Sequence, residues 1–330
     1  MAYLATERSL QRRQNPARIL PGVRSVLSLA MPYPNPRHLA SRPGYGRLAA
    51  YAWNLDYHLV IPDRLQALVY WIETQTGRPA VYKAYTDTGP ILERDLAQRA
   101  GLGWIGKNTC LIHPRFGSYF LLAEVFLMDD LELDTPVERD YCGSCRRCID
   151  ACPTACILPD RTLDANRCIS YLTIENKGAI PLDLRPRLGD LVFGCDICQQ
   201  VCPWNLRFAS LAPDPSLAFN PTLAQPELRG ELRLSPQEFN RKFRRSPVQR
   251  ARRRGYLRNI AVALGNLKDA STLPDLAQAL RADPEPLVRG HAAWAVGQIV
   301  TPAARETLAS ARKTETDASV LSEIQKALEG

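Results

Sequence analysis

The sequence predicts an α/β or α+β domain over roughly residues 1–135, a cysteine-rich module over 136–205, a connector over 206–250 and an all-α repeat domain over 251–330. Three observations predict it. Apolar strand-like runs alternate with helix-period stretches in the first part of the chain, as expected of a sheet with helices packed on it. Nine of the ten cysteines lie between Cys142 and Cys202. Small and aliphatic residues then recur at an offset of 32 residues towards the C-terminus.

In chain order, Val23–Met31 is a β-rich run closed by Pro32, Pro34 and Pro36, which predicts a strand. Tyr45–Tyr51 predicts the start of a helix, and Pro62–Thr76 has helical period with a proline near its beginning and Gly77 after its end. Ala80–Tyr85 predicts a short strand running into Thr86-Asp87-Thr88-Gly89-Pro90. Residues 91–100 predict a helix, Gly101–Asn108 a loop, and Ser118–Met128 a buried strand. The Gly101–Asn108 glycines lack the spacing of a dinucleotide or phosphate loop, so a turn is expected there. His58 and His113 have no partner at metal-ligand spacing and are expected to be solvated or satisfied core histidines. Asp56-Tyr57-His58 begins like a cobalamin-binding DxHxxG pattern, but the glycine is absent.

The cysteines carry the chemistry. Cys142-x2-Cys145-x2-Cys148-x3-Cys152-Pro153 is the bacterial ferredoxin run, whose fourth cysteine serves the other cluster when two are present. Cys195-x2-Cys198-x3-Cys202-Pro203 repeats it one cysteine short, and Cys168 can supply the missing ligand. Two four-thiolate sets result. Cys142, Cys145, Cys148 and Cys202 are expected to hold one [4Fe-4S] cluster, and Cys152, Cys168, Cys195 and Cys198 the other. Zinc ribbons and disulfides are the rival readings; zinc sites use paired CxxC units and need neither the third cysteine nor the Cys-Pro. Cys110 and Cys156 are left over and are expected to be small core residues.

Hydrophobic residues make up 45% of the 330-residue chain, ample for packed cores, and no apolar run reaches the ~18 residues of a membrane span. Arg12-Arg13 is not followed directly by a signal-type apolar segment, because Asn15-Pro16 and Arg18 intervene. A cytoplasmic protein with reduced thiols is expected. The net charge of +8 is concentrated: residues 241–258 carry nine Lys/Arg and no acid. This run is either a polyanion contact or a solvated helix face. Phe208–Pro236, rich in Pro and Leu, is expected to be irregular. Ile260–Leu267 aligns with Ala292–Ile299, which predicts stacked helix pairs of HEAT type.

Taken together, several stretches resemble the epoxyqueuosine reductase family, cobalamin-dependent iron–sulfur enzymes of tRNA queuosine synthesis. They are Asp87–Pro90 through Glu93-Arg94, Ala100–Thr109, Phe116–Tyr119, the cysteine array, Cys168–Glu175 and Gly194–Gln199, with Arg258-Asn259 and Leu264–Asn266 extending the match. Position 93 is Glu where an Asp is common, and relatives begin some tens of residues earlier, so a missing N-terminal portion is expected. The resemblance implies a cobalamin-binding catalytic domain, a two-cluster module and HEAT-like repeats. It implies a two-electron deoxygenation of epoxyqueuosine to queuosine in the anticodon loop of tRNA, as the last step of that synthesis. Epoxide reduction needs a strong nucleophile or reductant that side chains do not supply; reduced cobalt can be one, fed by single electrons from the clusters.

Site residues come from the same resemblance. Asp87 is the candidate acid for the departing oxygen, a carboxyl expected to be kept protonated by a poorly solvated pocket, against the simpler reading of an Asx-turn residue. Glu93-Arg94 is expected to be a helix-surface or structural pair. Cobalamin, expected as base-off cob(II)alamin at rest, would meet Asp87, Lys107, Asn108, Thr109, Ser118, Tyr119, Ser170, Tyr171 and Asp196. The tRNA would meet Arg252, Arg253, Arg254 and Arg258 through phosphates. An external electron donor of reductase, flavodoxin or ferredoxin type is implied, with a monomeric enzyme and no membrane partner. Two other functions compete: a ferredoxin-type electron carrier, which needs no cobalamin, and a corrinoid reductive dehalogenase, which has no use for a basic repeat platform.

Overall fold

A computed structural model describes residues 4–34, 39–208, 214–217 and 219–329. Pro36, and residues 209–213 and 218 of the Pro- and Leu-rich stretch, lie outside the described residues. The strands are β1 Ser25–Pro32, β2 Arg47–Leu48, β3 Tyr82–Tyr85, β4 Trp104–Ile105, β5 Leu111–Ile112, β6 Phe120–Leu127 and β7 Leu191–Phe193. The chain forms two units, each assembled from separated segments: Met1–Arg37, Asn54–Ala165 and Ile197–Ala218 in the first, His38–Trp53, Asn166–Asp196 and Phe219–Gly330 in the second. No helix among the described residues is long and apolar enough to cross a membrane.

The first unit is built on an antiparallel sheet of order β1-β6-β3. Central β6 is apolar apart from Glu124, as expected of a strand covered on both faces. Phe126 packs with Ile19, Leu20 and Ile91, backed by Leu96 of the helix Glu93–Arg99. On the opposite face, Leu29 and Ala123 line a cleft of about 420 Å³ with Ile61, Leu65 and Leu68 of the helix Tyr57–Thr76. That helix starts before the expected Pro62 because the Asp56 side chain caps it, accepting the His58 N–H at 3.0 Å. It ends where Gly77 takes the left-handed conformation. The Gly101–Asn108 stretch does turn, but it also contributes β4, which pairs with β5. A Cβ on Gly103 would collide with the Ile112 carbonyl, so only glycine lets these two strands close up.

In the second unit β2 pairs with β7 in parallel. The helix expected over Tyr45–Tyr51 is instead β2 followed by a 3-10 turn over Ala50–Ala52. Long-range pairing overrides the local pattern here: the Arg47 N–H donates to the Asp190 carbonyl and the Gly46 N–H to that of Pro226. The stretch expected to be irregular holds the short helices Pro221–Ala224 and Leu228–Leu232, and at its last residue starts a further helix, Pro236–Lys242, through a Ser235/Glu238 capping box. The repeat expectation holds. Helices Arg252–Leu267, Pro286–Gly297 and Ala318–Glu329 stack in order. Gly265 and Gly297 occupy equivalent repeat positions for one reason. A Cβ on Gly265 would lie 2.9 Å from Ala295 Cα, and one on Gly297 2.7 Å from Ala327 Cβ.

Candidate active site

Asp87 sits in the loop between β3 and the helix Glu93–Arg99, at a φ of 53°. Aspartate is among the few residues that accept this left-handed region. The Asp87 N–H donates to Glu93 Oε1 at 2.5 Å, and Oδ2 accepts the Tyr57 hydroxyl at 2.6 Å. His58 Nδ1 lies 2.7 Å from Asp56 Oδ1, so the ring carries its proton there and turns Nε2 towards Asp87 Oδ2, 3.9 Å away. Burial opposes ionisation of Asp56, but the hydrogen bonds from the His58 side chain and backbone outweigh it and hold this carboxyl below its usual range. The tripeptide that begins like a cobalamin motif therefore surrounds Asp87. Its first residue caps a helix and its next two reach the candidate acid.

The expected poorly solvated pocket is not where Asp87 lies. Its side chain is 66% exposed, because the left-handed turn projects it outward. Desolvation falls on two glutamates behind it. Burial, reinforced by the Asp87 charge, pushes Glu93 up to about 7 against the hydrogen bond from the Asp87 amide. Burial, with Glu93 adding to it, pushes Glu124 on β6 up to about 9. Glu93 and Arg94 do act structurally, the one holding the Asp87 amide, the other donating to the Thr109 carbonyl.

The first set of cysteines is gathered in this same unit. The Cys148 thiol is pushed up by burial and then by the neighbouring Cys142, Cys202 and Cys145 thiols. The Cys145 N–H donates to the Cys142 carbonyl, and the Lys107 ammonium holds the carbonyls of Gly143 and Cys145 at 2.5 and 2.9 Å. Trp104, Trp204 and Tyr141 wall the array, with the Trp104 ring 4.9 Å from each of the other two, and Cys202 packs among them. Among the described residues no three His, Cys, Asp or Glu side chains stand close enough to share one metal ion. A [4Fe-4S] cubane takes each of its four cysteines on a different iron, so a looser set of four thiols fits it. Cys152 and Cys198 also belong to this unit, Cys168 and Cys195 to the second. Cys156 is buried, as expected of a small core residue. Its Sγ lies 3.4 Å from Cys152 Sγ, and its hydrogen bond, ahead of that from Thr154, pulls the Cys152 thiol down to about 4.

The other expected contacts sort by what they already hold. Lys107 is committed to the cysteine loop. Asn108 is buried and its Nδ2 has no hydrogen-bond partner among the described residues. Thr109 has a φ of 63°. Ser118 is tied to Asn205 and Gln199, and Tyr119 is buried edge-on against Tyr33. In the second unit, Ser170 and Tyr171 lie in the helix Ile169–Ile174, which follows Cys168 directly, and Asp196 is buried with Oδ2 accepting the Ala50 N–H at 2.6 Å.

The basic run divides in the same way. Arg258 is 0% exposed and cannot meet a phosphate: its guanidinium donates to the carbonyls of Leu172, Asn176 and Gly178 at 2.6–2.8 Å. Burial, with Arg185 and Arg254 nearby, lowers its pKa to about 10. Arg253 is largely buried against Asp283 and the Leu234 carbonyl. Arg252, at a φ of 58°, is exposed and Arg254 half-buried.

Comparison with known proteins places these features in a family. Residues 13–88 match the family described as "Epoxyqueuosine reductase QueG, DUF1730", residues 141–205 a 4Fe-4S double cluster binding domain, and residues 250–329 HEAT repeats. The epoxyqueuosine reductase of Pseudomonas aeruginosa is 43% identical over 300 residues, 90% of this chain and 82% of that protein. That of Bacillus cereus is 37% identical over 98% of this chain and 85% of its own length. A crystal structure of epoxyqueuosine reductase with an epoxyqueuosine-modified tRNA-Tyr stem loop superposes with a TM-score of 0.93 at 35% identity, covering 100% of this chain and 87% of that one. A Bacillus subtilis structure whose catalytic aspartate loop is swung out of the active site superposes at 0.89, also at 35% identity, covering 97% of this chain and 85% of that one. A sheet carrying an aspartate loop, a double ferredoxin array and stacked helix pairs thus occur together in relatives aligned over nearly the whole length, and the chain belongs to the epoxyqueuosine reductase family.

Proposed function

We propose that this chain reduces epoxyqueuosine in tRNA to queuosine, with cobalamin and two [4Fe-4S] clusters as its cofactors and an external one-electron donor. The observation that carries this reading is the Asp87 turn, braced by Tyr57 and Glu93 in the same unit as a four-thiolate array. Asp87 is exposed, open to a substrate, and serves as the acid for the departing oxygen. Tyr57 fixes which carboxyl oxygen is engaged, leaving the other to face the epoxide. The orphaned Asn108 amide is a buried donor awaiting an acceptor, and a corrinoid rimmed by amide carbonyls is such a partner. Asn108, Thr109 and Tyr119 are the residues assigned to hold it. When bound, it supplies the low-potential reductant that side chains lack. The test is anaerobic turnover of a tRNA stem loop carrying epoxyqueuosine, with and without cobalamin, followed by mass spectrometry. Loss of one oxygen only when cobalamin is present is the expected result. Cluster reduction with no change in the RNA would favour the electron carrier.

The cluster ligands are proposed as the spacing assigns them: Cys142, Cys145, Cys148 and Cys202 for one, Cys152, Cys168, Cys195 and Cys198 for the other. Reconstituted protein should carry about eight irons. Cys110→Ala and Cys156→Ala should keep them, and Cys168→Ala should lose part. Full iron in Cys168→Ala would overturn the second set.

The exposed part of the basic run is proposed to contact tRNA phosphates. Replacing Arg252 and Arg254 together with Gln should weaken stem-loop binding and flatten its salt slope by about 1–2. Arg253→Gln should instead cost stability, since it strands Asp283. Unchanged affinity in the double variant, at low and moderate salt, would make this a solvated face.

A further inference from the structure

Cys156 is the one cysteine between Cys142 and Cys202 with no place in either proposed four-thiolate set. It is 3% exposed, and its Sγ lies 3.4 Å from Cys152 Sγ in the same unit. None of the ten cysteines is in a disulfide. The chain between the two holds this approach. Pro153 and Thr154 are the corners of a turn that the Ala155 N–H closes on the Cys152 carbonyl at 3.0 Å. Ala155 then takes a φ of 50°, and the chain brings Cys156 back beside Cys152. Beyond it the Cys156 carbonyl accepts the Asp164 N–H at 2.9 Å, at the neck of a loop where Ile157 bridges to Leu163. The Cys152 N–H is in turn spent on the Ile149 carbonyl at 3.3 Å. Backbone hydrogen bonds thus pin both cysteines with their sulfurs in contact. A disulfide needs a sulfur–sulfur distance of about 2.05 Å, a gap that turning the two side chains about χ1 can close. Alanine or valine would fill a core position as well; a thiol adds chemistry that they lack.

We propose that Cys152 and Cys156 are a redox-active pair that closes into a reversible disulfide when Cys152 carries no cluster. The consequence for iron rests on the reading of Cys152 as a ligand of the second cluster. Half-buried Cys152 meets the oxidant, and buried Cys156 resolves it. With a peroxide as oxidant, the Cys152 sulfur takes one oxygen atom, the O–O bond breaks and one water leaves, giving a sulfenic acid. The Cys156 thiol then attacks that sulfur: the S–S bond forms, the S–O bond breaks and the oxygen leaves as a second water. Two electrons and two protons have passed from the two thiols to one peroxide. Without a resolving thiol the sulfenic acid goes on to sulfinic and sulfonic acids, which thiol reductants do not reverse. A dithiol reductant opens the disulfide by exchange, and Cys152 can again take iron. The pair therefore guards a ligand position while the cluster is absent. A bound cluster occupies the Cys152 thiolate and keeps the pair from closing.

The test is a disulfide map of the full-length chain. Protein stripped of iron by a chelator is exposed briefly to hydrogen peroxide, alkylated and digested with trypsin. Cys148, Cys152 and Cys156 fall in one peptide, residues 148–161. Its fragmentation should show Cys148 alkylated and Cys152 joined to Cys156, lighter by two hydrogens, and dithiothreitol should open the link. Protein reconstituted with iron and sulfide should show no link. Cys156→Ala should load wild-type iron when untreated, yet under peroxide accumulate at least about fivefold more sulfinic acid at Cys152 and reload less iron after dithiothreitol. The proposal is overturned if Cys156 is alkylated in peroxide-treated wild type, if Cys152 joins Cys148 instead, or if Cys152 over-oxidises to the same extent with and without Cys156. The wild-type map decides without any variant if Cys156→Ala folds poorly. Full iron in Cys152→Ala would remove this residue from the second cluster, while the map would still decide the pair.

Discussion

Asp87→Asn should turn over epoxyqueuosine in tRNA at least about a hundredfold more slowly than wild type, the lower end of what a general acid contributes. The substitution isolates the proton. Asparagine tolerates the left-handed conformation that Asp87 adopts, its amide N–H can still reach Glu93 Oε1, and its side-chain oxygen can still accept the Tyr57 hydroxyl. Folding, iron content, cobalamin binding and tRNA affinity should therefore be unchanged. Tyr57→Phe, which removes only the bond that orients the carboxyl, should show a smaller loss in kcat. Single-turnover rates in Asp87→Asn within a few-fold of wild type would remove Asp87 from the chemistry. Loss of cobalamin or of folding would favour a purely turn-forming aspartate.

Arg258→Met should lower stability by at least about 3 kcal/mol, read as a drop in the urea midpoint, and should lower the iron bound per chain. Methionine fills much of the space but takes the donor from three backbone carbonyls, that of Leu172 in a buried bond and those of Asn176 and Gly178 in part-buried ones. Each costs roughly 1–3 kcal/mol when left unpaired. The iron is affected because of what those carbonyls belong to. Leu172 lies in the helix that begins directly after Cys168. Asn259, which accepts from Arg258, donates to the carbonyls of Thr173 and Val192, and the Thr173 hydroxyl accepts the N–H of Gly194, just before Cys195. One buried guanidinium thus braces two cysteine-bearing segments. A midpoint and iron content close to wild type would show that water replaces the guanidinium without penalty.

Legibility in the sequence depends on range. The cysteine array, the strand over residues 118–128 and the 32-residue repeat declare themselves in consecutive residues, and the structure and the family comparisons carry all three. The features that stay hidden depend on partners far along the chain. Tyr57 reaches Asp87 across 30 residues, and no local pattern marks a tyrosine beside a helix cap as a carboxyl's partner. Glu124 stands alone in an apolar run, which is the one local sign that it is buried. Arg258 is hidden in a charge run where eight neighbours suggest solvent. The arginines at 252–254 look the same in sequence and differ only in what the fold sets beside them.

The interleaving of segments in the second unit has a consequence for how the protein is made. Gly194 and Cys195 are ordered through Thr173, Asn259 and Arg258, and the helix that carries Arg258 is packed by Pro286–Gly297, which in turn packs on Ala318–Glu329. A ribosome adding about 5–20 residues per second exposes the cysteines on the order of ten seconds before those helices exist. During that interval the thiols of Cys168 and Cys195 are carried on unfolded chain, open to oxidation and to stray metal. If these two cysteines are cluster ligands as proposed, assembly on them waits until the helices Pro286–Gly297 and Ala318–Glu329 have been translated, and the yield of active enzyme depends on how well the nascent thiols are kept reduced in that interval.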